Sequence, residues 1–375
     1  MNAIKIFLFI IVTALCSCRE EFKPPAVSSP NTYLVVEGVL NIGPGSTTIR
    51  LTKTFRLNDS ARLRPETNAR LQVEKDDNTV YLLAETGNGY YSGTNLNLQV
   101  NGKYRLRIKT AAGKEYLSDY STGRSTPPID SIGWRYTTEG VRIYANTHDP
   151  ANSTRYYRWD YDETWEIRSN YVNYLKVVNG AYVPRIFPQD DVSVCWKYAA
   201  STNILISSSA QLQSDVISEA PLAFIPRGTE RLGVRYSMLV RQYAIDKEAY
   251  TFLEQMKRNT ESIGTVFDPQ PSEIYGNIRC VSTPDEPVIG YVTASAVQTK
   301  RIFITVAEVN TPFWNFFLRC ETMDVMAVPD SIRKYIPPWI PFDIVPSVPA
   351  VYNCSTPVCI DCTQRGGSLV KPSYW

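Results

Sequence analysis

The stretch Tyr157–Ile167, "YRWDYDETWEI", alternates over eleven residues. Tyr157, Trp159, Tyr161, Glu163, Trp165 and Ile167 fall on one side of an extended chain, and Arg158, Asp160, Asp162, Thr164 and Glu166 on the other. A period of two with aromatic residues gathered on one side marks a β-strand whose faces meet different surroundings. The rings have two uses. They can pair across strands in a core, or Tyr157, Trp159, Tyr161 and Trp165 can present a ligand-facing surface. On the other side, Asp160 and Asp162 stand about 6.6 Å apart by strand rise. Paired carboxylates serve glycosidases, but those normally come from different strands so that they flank the scissile bond. Acids alternating with aromatics read more simply as the solvent face of a sheet, and the same holds against Ca²⁺ binding by Asp160, Asp162 and Glu163.

Upstream of this strand, residues 32–124 carry seven short β-rich runs: "YLVVEGVL", "TTIRLTKTF", "ARLQVEKD", "VYLLAE", "YYSGTNLNL", "KYRLRIKT" and "KEYLSDY". Turn residues separate them, in "NIGPGS", "KDDN", "TGNG", "VNGK" and "TAAGK". This spacing predicts an antiparallel β-sandwich, immunoglobulin-like or transthyretin-like. In Lys103–Lys109, Tyr104, Leu106 and Ile108 share one face and Arg105 and Arg107 the other. "STPPIDSI", Ser125–Ile132, reads as an extended linker into a second, larger β-rich domain over 129–375. Further strands are predicted at Tyr171–Val178, Val192–Tyr198, Asn203–Ser207, Leu232–Ala244, Val288–Ala296 and Lys300–Val306. One helix stands out. Asp246 is a good N-cap for "KEAYTFLEQMKRNT", and Ala249, Phe252, Leu253 and Met256 form its apolar stripe. "DPQP", Asp268–Pro271, is a rigid turn after it. The overall class is all-β.

The amino end reads as an address. After Lys5, Ile6–Leu15 is apolar except for Thr13, about the length of a signal-peptide core and too short to span a bilayer. "LCSC" then has the form of a lipobox, with residues 1–17 removed and Cys18 acylated. Several acyl chains would hold the protein at a membrane, since each buried methylene contributes ~0.8 kcal/mol. Arg19-Glu20-Glu21 has the form of a short surface-export signal. The Pro- and Ser-rich residues that follow make 18–31 a lipidated tether.

Composition excludes several classes of function. The 39 Lys+Arg and 37 Asp+Glu nearly balance and form no basic stripe, which argues against nucleic acid. His148 is the single histidine and lies in the turn-like "NTHDPANST", so no Ser–His–Asp or Cys–His constellation and no histidine-rich zinc site can be built. With Cys16 and Cys18 in the amino-terminal address, six cysteines remain: Cys195, Cys280, Cys320, Cys354, Cys359 and Cys362. An even number outside the cytoplasm predicts three disulfides, with fifteen connectivities open. Cys354, Cys359 and Cys362 with Cys320 could instead supply four zinc thiolates. Residues 328–350 are rich in proline, with Tyr335, Trp339 and Phe342 between. Such a segment should run extended over the surface rather than inside a sheet. Asp-Ser pairs at Ser60, Ser131 and Ser331 fit a short O-glycosylation pattern. No cofactor or metal is expected, and no enzymatic activity.

Taken together, the lipobox, "YLVVEGVL", "GYYSG", "YRLRI", "PPIDSI", "GTVFDPQPSEIYGNI", "PVIGYVTAS" and the ending "CIDCTQRGGSLVKPSYW" resemble the Bacteroidota lipoprotein family catalogued as domain of unknown function 4249. "GTVFDP" departs from the Gly-Gly more usual there. The resemblance implies a surface lipoprotein of the outer membrane, often encoded beside TonB-dependent receptors, and hence a receptor accessory in nutrient uptake. It carries no catalytic residues to transfer. A carbohydrate- or peptide-binding module and a structural envelope protein are the other roles this composition allows.

Overall fold

The computed structural model describes residues 32–55, 64–261, 274, 276–309, 314, 316 and 318–375. Cys18, Arg19, Glu20, Glu21, Ser60 and the Asp268–Pro271 turn lie outside the described residues. The chain is all-β, with several sheets, short helices, and one longer helix.

Each of the seven predicted amino-terminal runs contains a strand. In spatial order the sheet runs Ile278–Cys280, Glu115–Ser118, Lys103–Lys109, Arg70–Lys75, Val80–Gly87, Tyr90–Thr94, Ser46–Lys53, Leu34–Asn41 and Val288–Ile289. The strand Val80–Gly87 turns the sheet back on itself: Leu83 faces Leu71 of one layer, while Ala84 faces Ser92 of the other. The two layers enclose one core, in which Leu34, Ile49, Leu51, Val73, Tyr91, Tyr104, Leu106 and Ile108 are all buried. On the outer face Glu74 binds both Arg105 and Arg107, at 2.7 and 2.5 Å. The alternation in Lys103–Lys109 therefore holds side by side.

Three strands of this body come from far downstream. Ile278–Cys280 pairs antiparallel with Glu115–Ser118, and Val288–Ile289 and Thr293–Ser295 pair in parallel with Leu34–Asn41. Residues 278–295 thus complete the first sandwich, which corrects their assignment to the second domain. The reason is an edge: without Val288–Ile289 and Thr293–Ser295, the strand Leu34–Asn41 would leave a row of unpaired backbone groups.

The second body packs a three-stranded sheet (Ile129–Thr137, Gly140–His148, Val216–Pro226) against a five-stranded one. The latter is built around Tyr156–Arg168, which pairs with Val194–Ala200, Leu205–Ser208 and Arg235–Ile245; Gln298–Thr305 adds to the last. Between the sheets lie Tyr157, Trp159, Trp165, Tyr236, Met238, Val240 and Trp314. The strand Val216–Pro226 escaped sequence reading because Pro221 and Pro226 interrupt it; a register shift accommodates Pro221 opposite Tyr144.

The helix Lys247–Glu261 is capped as expected, the Ala249 N–H donating to Asp246 Oδ1 at 2.7 Å. Its Ala249 joins Val39, Tyr243 and Ile245 in a small core at the junction of the two bodies. Beneath it the linker is clamped. Buried Gln242 donates to Pro127 O and Thr147 Oγ1, both at 2.9 Å, and accepts from Trp159 Nε1. Thr126 Oγ1 shares a hydrogen with Ser295 Oγ at 2.9 Å.

Beyond residue 318 the chain forms a small sheet of Thr322–Met326, Val351–Ser355 and Ile340–Val345 in that spatial order. The Pro-rich segment is therefore not simply an extended surface run. It folds into the helix Pro329–Tyr335 and an edge strand, and its irregularity between Pro341 and Asp343 is where a missing N–H can be tolerated.

Candidate functional site

The aromatic face of Tyr156–Arg168 points into the core. Tyr157 and Trp159 are fully buried and stacked, with centroids 5.7 Å apart, Trp165 is buried, and Tyr161 packs against the same cluster. The three-stranded sheet covers these rings, so the reading of them as ligand-facing is corrected. The polar atoms of Tyr157 and Trp159 are met inside the fold, the Trp159 indole donating to Gln242, whereas the buried Trp165 Nε1 has no hydrogen-bond partner among the described residues. The Tyr157 hydroxyl donates to the buried Asp215 carboxylate, which also accepts from Ser209. Burial, and then this bond, push the Tyr157 phenol well above its ordinary range. Glu163, on the same face, accepts from Tyr236 at 2.8 Å and pairs with Arg231 at 3.0 Å, which explains an acid among rings.

The opposite face is divided in two. Its carboxyl-terminal half is covered by the chain's ending. Tyr374 shares a hydrogen bond with Thr164 at 2.7 Å and lies under Arg301, 3.6 Å from its ring centroid. Trp375 donates to Glu166 at 3.2 Å and packs against Phe303 and Arg235. Ser368 pairs with Trp196 through both backbone bonds. Gly367 sits against the Cys195–Cys362 disulfide, where an added Cβ would stand 2.4 Å from Cys195 Cβ. Arg365 bonds Glu230 at 3.2 Å and the Arg168 carbonyl. "QRGGSLVKPSYW" is thus a strap holding the sheet, built from ring packing and a glycine contact.

The amino-terminal half of that face opens into a cleft of about 750 Å³ between the two bodies. Arg158, Asp160, Asp162, Arg241 and Tyr243 form one wall, and Glu37, Thr48, Arg50 and Tyr90 part of the other. Arg241 reaches both Asp160 and Asp162, the latter through two nitrogens at 2.5 and 3.1 Å. Burial alone would lower the Arg241 pKa, but these carboxylates outweigh it and raise it, so the guanidinium stays charged. Both acids are thereby engaged by Arg241, with Arg158 a further 4.0 Å contact of Asp160, rather than flanking a bond. Arg50 lies over Tyr90 and Arg158 over Tyr243, at 5.2 and 5.6 Å from the ring centroids. The lining balances three arginines against Glu37, Asp160 and Asp162.

Among the described residues the cysteines form two bonds, not three. Cys195 joins Cys362 and Cys320 joins Cys359, whereas Cys280 and Cys354 are free and buried. Cys280 lies in the first sandwich's core and Cys354 in the small carboxyl-terminal sheet, so the fold assigns them to separate bodies. Burial pushes the Cys354 thiol up to about 11, leaving it protonated. With Cys320, Cys359 and Cys362 oxidised, the four-thiolate zinc reading is also corrected. Among the described residues no group of three or more His, Cys, Asp or Glu could hold a metal, and no helix is long and apolar enough to cross a membrane. His148 is exposed and bonded to Asp130 at 2.8 Å, which raises its pKa. Ser131 is exposed on a strand, where it accepts from Asn146, and Ser331 lies in the helix Pro329–Tyr335.

Exposed apolar side chains gather where the sequence showed little. The hairpin Leu175–Val178/Ala181–Pro184 and its flanks present Val172, Tyr174, Val177, Val178, Ile186 and Phe187. The adjoining small sheet adds Met326, Ile344 and Val345, and Tyr174 N–H donates to Phe342 O across the two at 2.7 Å. Both disulfides brace this arm.

A family model described as "Domain of unknown function (DUF4249)" matches residues 19–301. The chain belongs to the DUF4249 family. The match runs through both bodies of this DUF4249 protein into the strand Gln298–Thr305 and includes the hairpin Leu175–Val178/Ala181–Pro184, whereas the small carboxyl-terminal sheet and the strap lie beyond the matched span. No curated protein matches the chain.

Proposed function

We propose that this DUF4249 protein is a surface-exposed, lipid-anchored protein of the outer membrane that performs no chemistry itself and serves as accessory to a TonB-dependent receptor. The observation that carries the binding role is the arm, where exposed apolar residues concentrate on a disulfide-braced projection, as at interaction surfaces. The anchor rests on the apolar run Ile6–Leu15 leading to Cys18. A second reading, a carbohydrate- or peptide-binding module, is favoured by the charge-balanced cleft with Tyr90 and Tyr243.

The test is detergent extraction of the tagged full chain from its native membrane. A stoichiometric TonB-dependent barrel should co-purify with the wild type and be lost with Ile186→Asp, which alters an exposed side chain. Recovery of the lipoprotein alone overturns the accessory role. Cys18→Ala should release the chain from the membrane fraction; continued membrane retention overturns the anchor.

A further inference from the structure

A groove of about 540 Å³ lies on the outer face of the three-stranded sheet, away from the cleft and the arm. Register places Arg135, Arg142 and Phe224 in one row across its three strands. The next row is Gly133, Tyr144 and Pro221. Two glycines make this face flat. A Cβ on Gly133 would lie 2.5 Å from the Tyr144 ring, and one on Gly140 would lie 2.9 Å from the Phe224 ring. The rings therefore rest on bare backbone, and Phe224 remains 41% exposed.

The charges are unusual for a sheet surface. Arg135 and Arg142 are directly opposite, and like charges in that position destabilise a strand pair. Arg135 is held to Glu219 at 2.6 Å, and Arg142 approaches Glu139 at 3.6 Å. All four of these side chains are largely exposed, so the pairs contribute little and yield easily to another anion. Lys257, from the long helix, closes one end. The lining holds Arg135, Arg142 and Lys257 together with Glu219, and Glu139 stands 3.6 Å from Arg142. Each guanidinium also lies near a ring, Arg135 5.9 Å from Tyr144 and Arg142 5.5 Å from Phe224.

We infer that this groove binds an anionic small molecule with a flat or apolar ring face, its acid group held by Arg142 and Arg135 and its ring laid on Phe224. A planar guanidinium fork suits a carboxylate, and an exposed ring over glycine suits stacking. This site is independent of the accessory role proposed above. An acidic sugar and an aromatic carboxylate share the required chemistry.

Both are tested by NMR titration of the full chain in detergent. Methyl glucuronide is compared with methyl glucoside, and phenylacetate with phenylacetamide. At least one acid should bind ~10-fold tighter than its uncharged counterpart, a difference equivalent to about 1.4 kcal/mol. Arg142→Gln should abolish that preference, and Phe224→Ala should weaken binding ~5-fold or more. Glu219→Gln removes the competing carboxylate and should tighten binding of the acid ~2- to 5-fold, a gain that loss of folding cannot imitate. Arg50→Gln, in the cleft, should change nothing. Equal binding of acid and neutral probe, no saturation by either acid up to about 10 mM, or indifference to Arg142→Gln and Glu219→Gln each overturns the inference.

Discussion

The amino-terminal sandwich and the carboxyl-terminal arm solve stability in different ways. The sandwich encloses a continuous core from Leu34 to Ala294 that includes a cysteine, Cys280, with no disulfide. The arm's three-stranded sheet buries only Val325, Pro341, Cys354 and Ser355, and the segments around it are tied by Cys195–Cys362 and Cys320–Cys359. Where a sheet is too small to bury a core, covalent bonds replace apolar area. The comparison also explains where apolar side chains are left outside: among the described residues no further sheet covers Val177, Val178, Met326, Ile344 and Val345.

The contrast can be broken in four ways. Trp159→Ala should have the largest effect, about 3–5 kcal/mol, because it empties the second sandwich's core and frees Gln242. Denaturant unfolding should show the second body failing while the first sandwich persists; a single shared transition would mean that the clamped linker makes them one cooperative unit. Replacing Cys195 and Cys362 by serine should cost about 2–4 kcal/mol, since the bond closes a separation of 167 residues. Hydrogen exchange should then quicken in 322–375 and remain unchanged in 34–53. Equal acceleration in both would refute the division of labour.

Gly367→Ala should cost about 1–3 kcal/mol by forcing a methyl against the same disulfide, and should also loosen the Trp375 packing, read as a shift in tryptophan fluorescence. The smallest effect concerns pH. Burial would raise the Asp149 carboxyl, but bonds from the Ser153 hydroxyl and the N–H groups of Thr154, Ala151 and Ser153 prevail and hold it at about 2. A carboxyl depressed in the folded state contributes stability above its unfolded pKa of about 4 and loses it as pH falls towards 2. Asp149→Asn should therefore destabilise the second body near pH 6 and converge with the wild type near pH 2. A constant offset across that range would show that the loop, not the charge, matters.

Local pattern was sufficient for much of this molecule. The alternation in Tyr157–Ile167 and Lys103–Lys109, the turn glycines between the first seven strands, and Asp246 before an apolar stripe each specify an element within about a dozen residues, because side-chain direction and capping depend only on near neighbours. The strand Val216–Pro226 was hidden because its prolines contradict the local rule while a bulge accommodates them.

What local pattern could not supply were partners far apart in the chain. Alternation showed that Tyr157 and Trp159 share a face, but only the opposing sheet decides that the face is core rather than a ligand surface. Six cysteines permit many pairings, and the fold places Cys280 and Cys354 in different bodies. The ending "RGGSLVKPSYW" entered the sequence reading only as part of the family resemblance, and its structural role emerged only when Gly367 met Cys195 and Trp375 met Glu166. The groove of Arg135, Arg142 and Phe224 is likewise assembled from three strands, with Phe224 more than eighty residues from Arg142 in sequence. Sequence by itself determined the elements and their faces. Tertiary structure alone decided which faces meet, since burial and cross-strand register depend on residues the chain brings together only by folding.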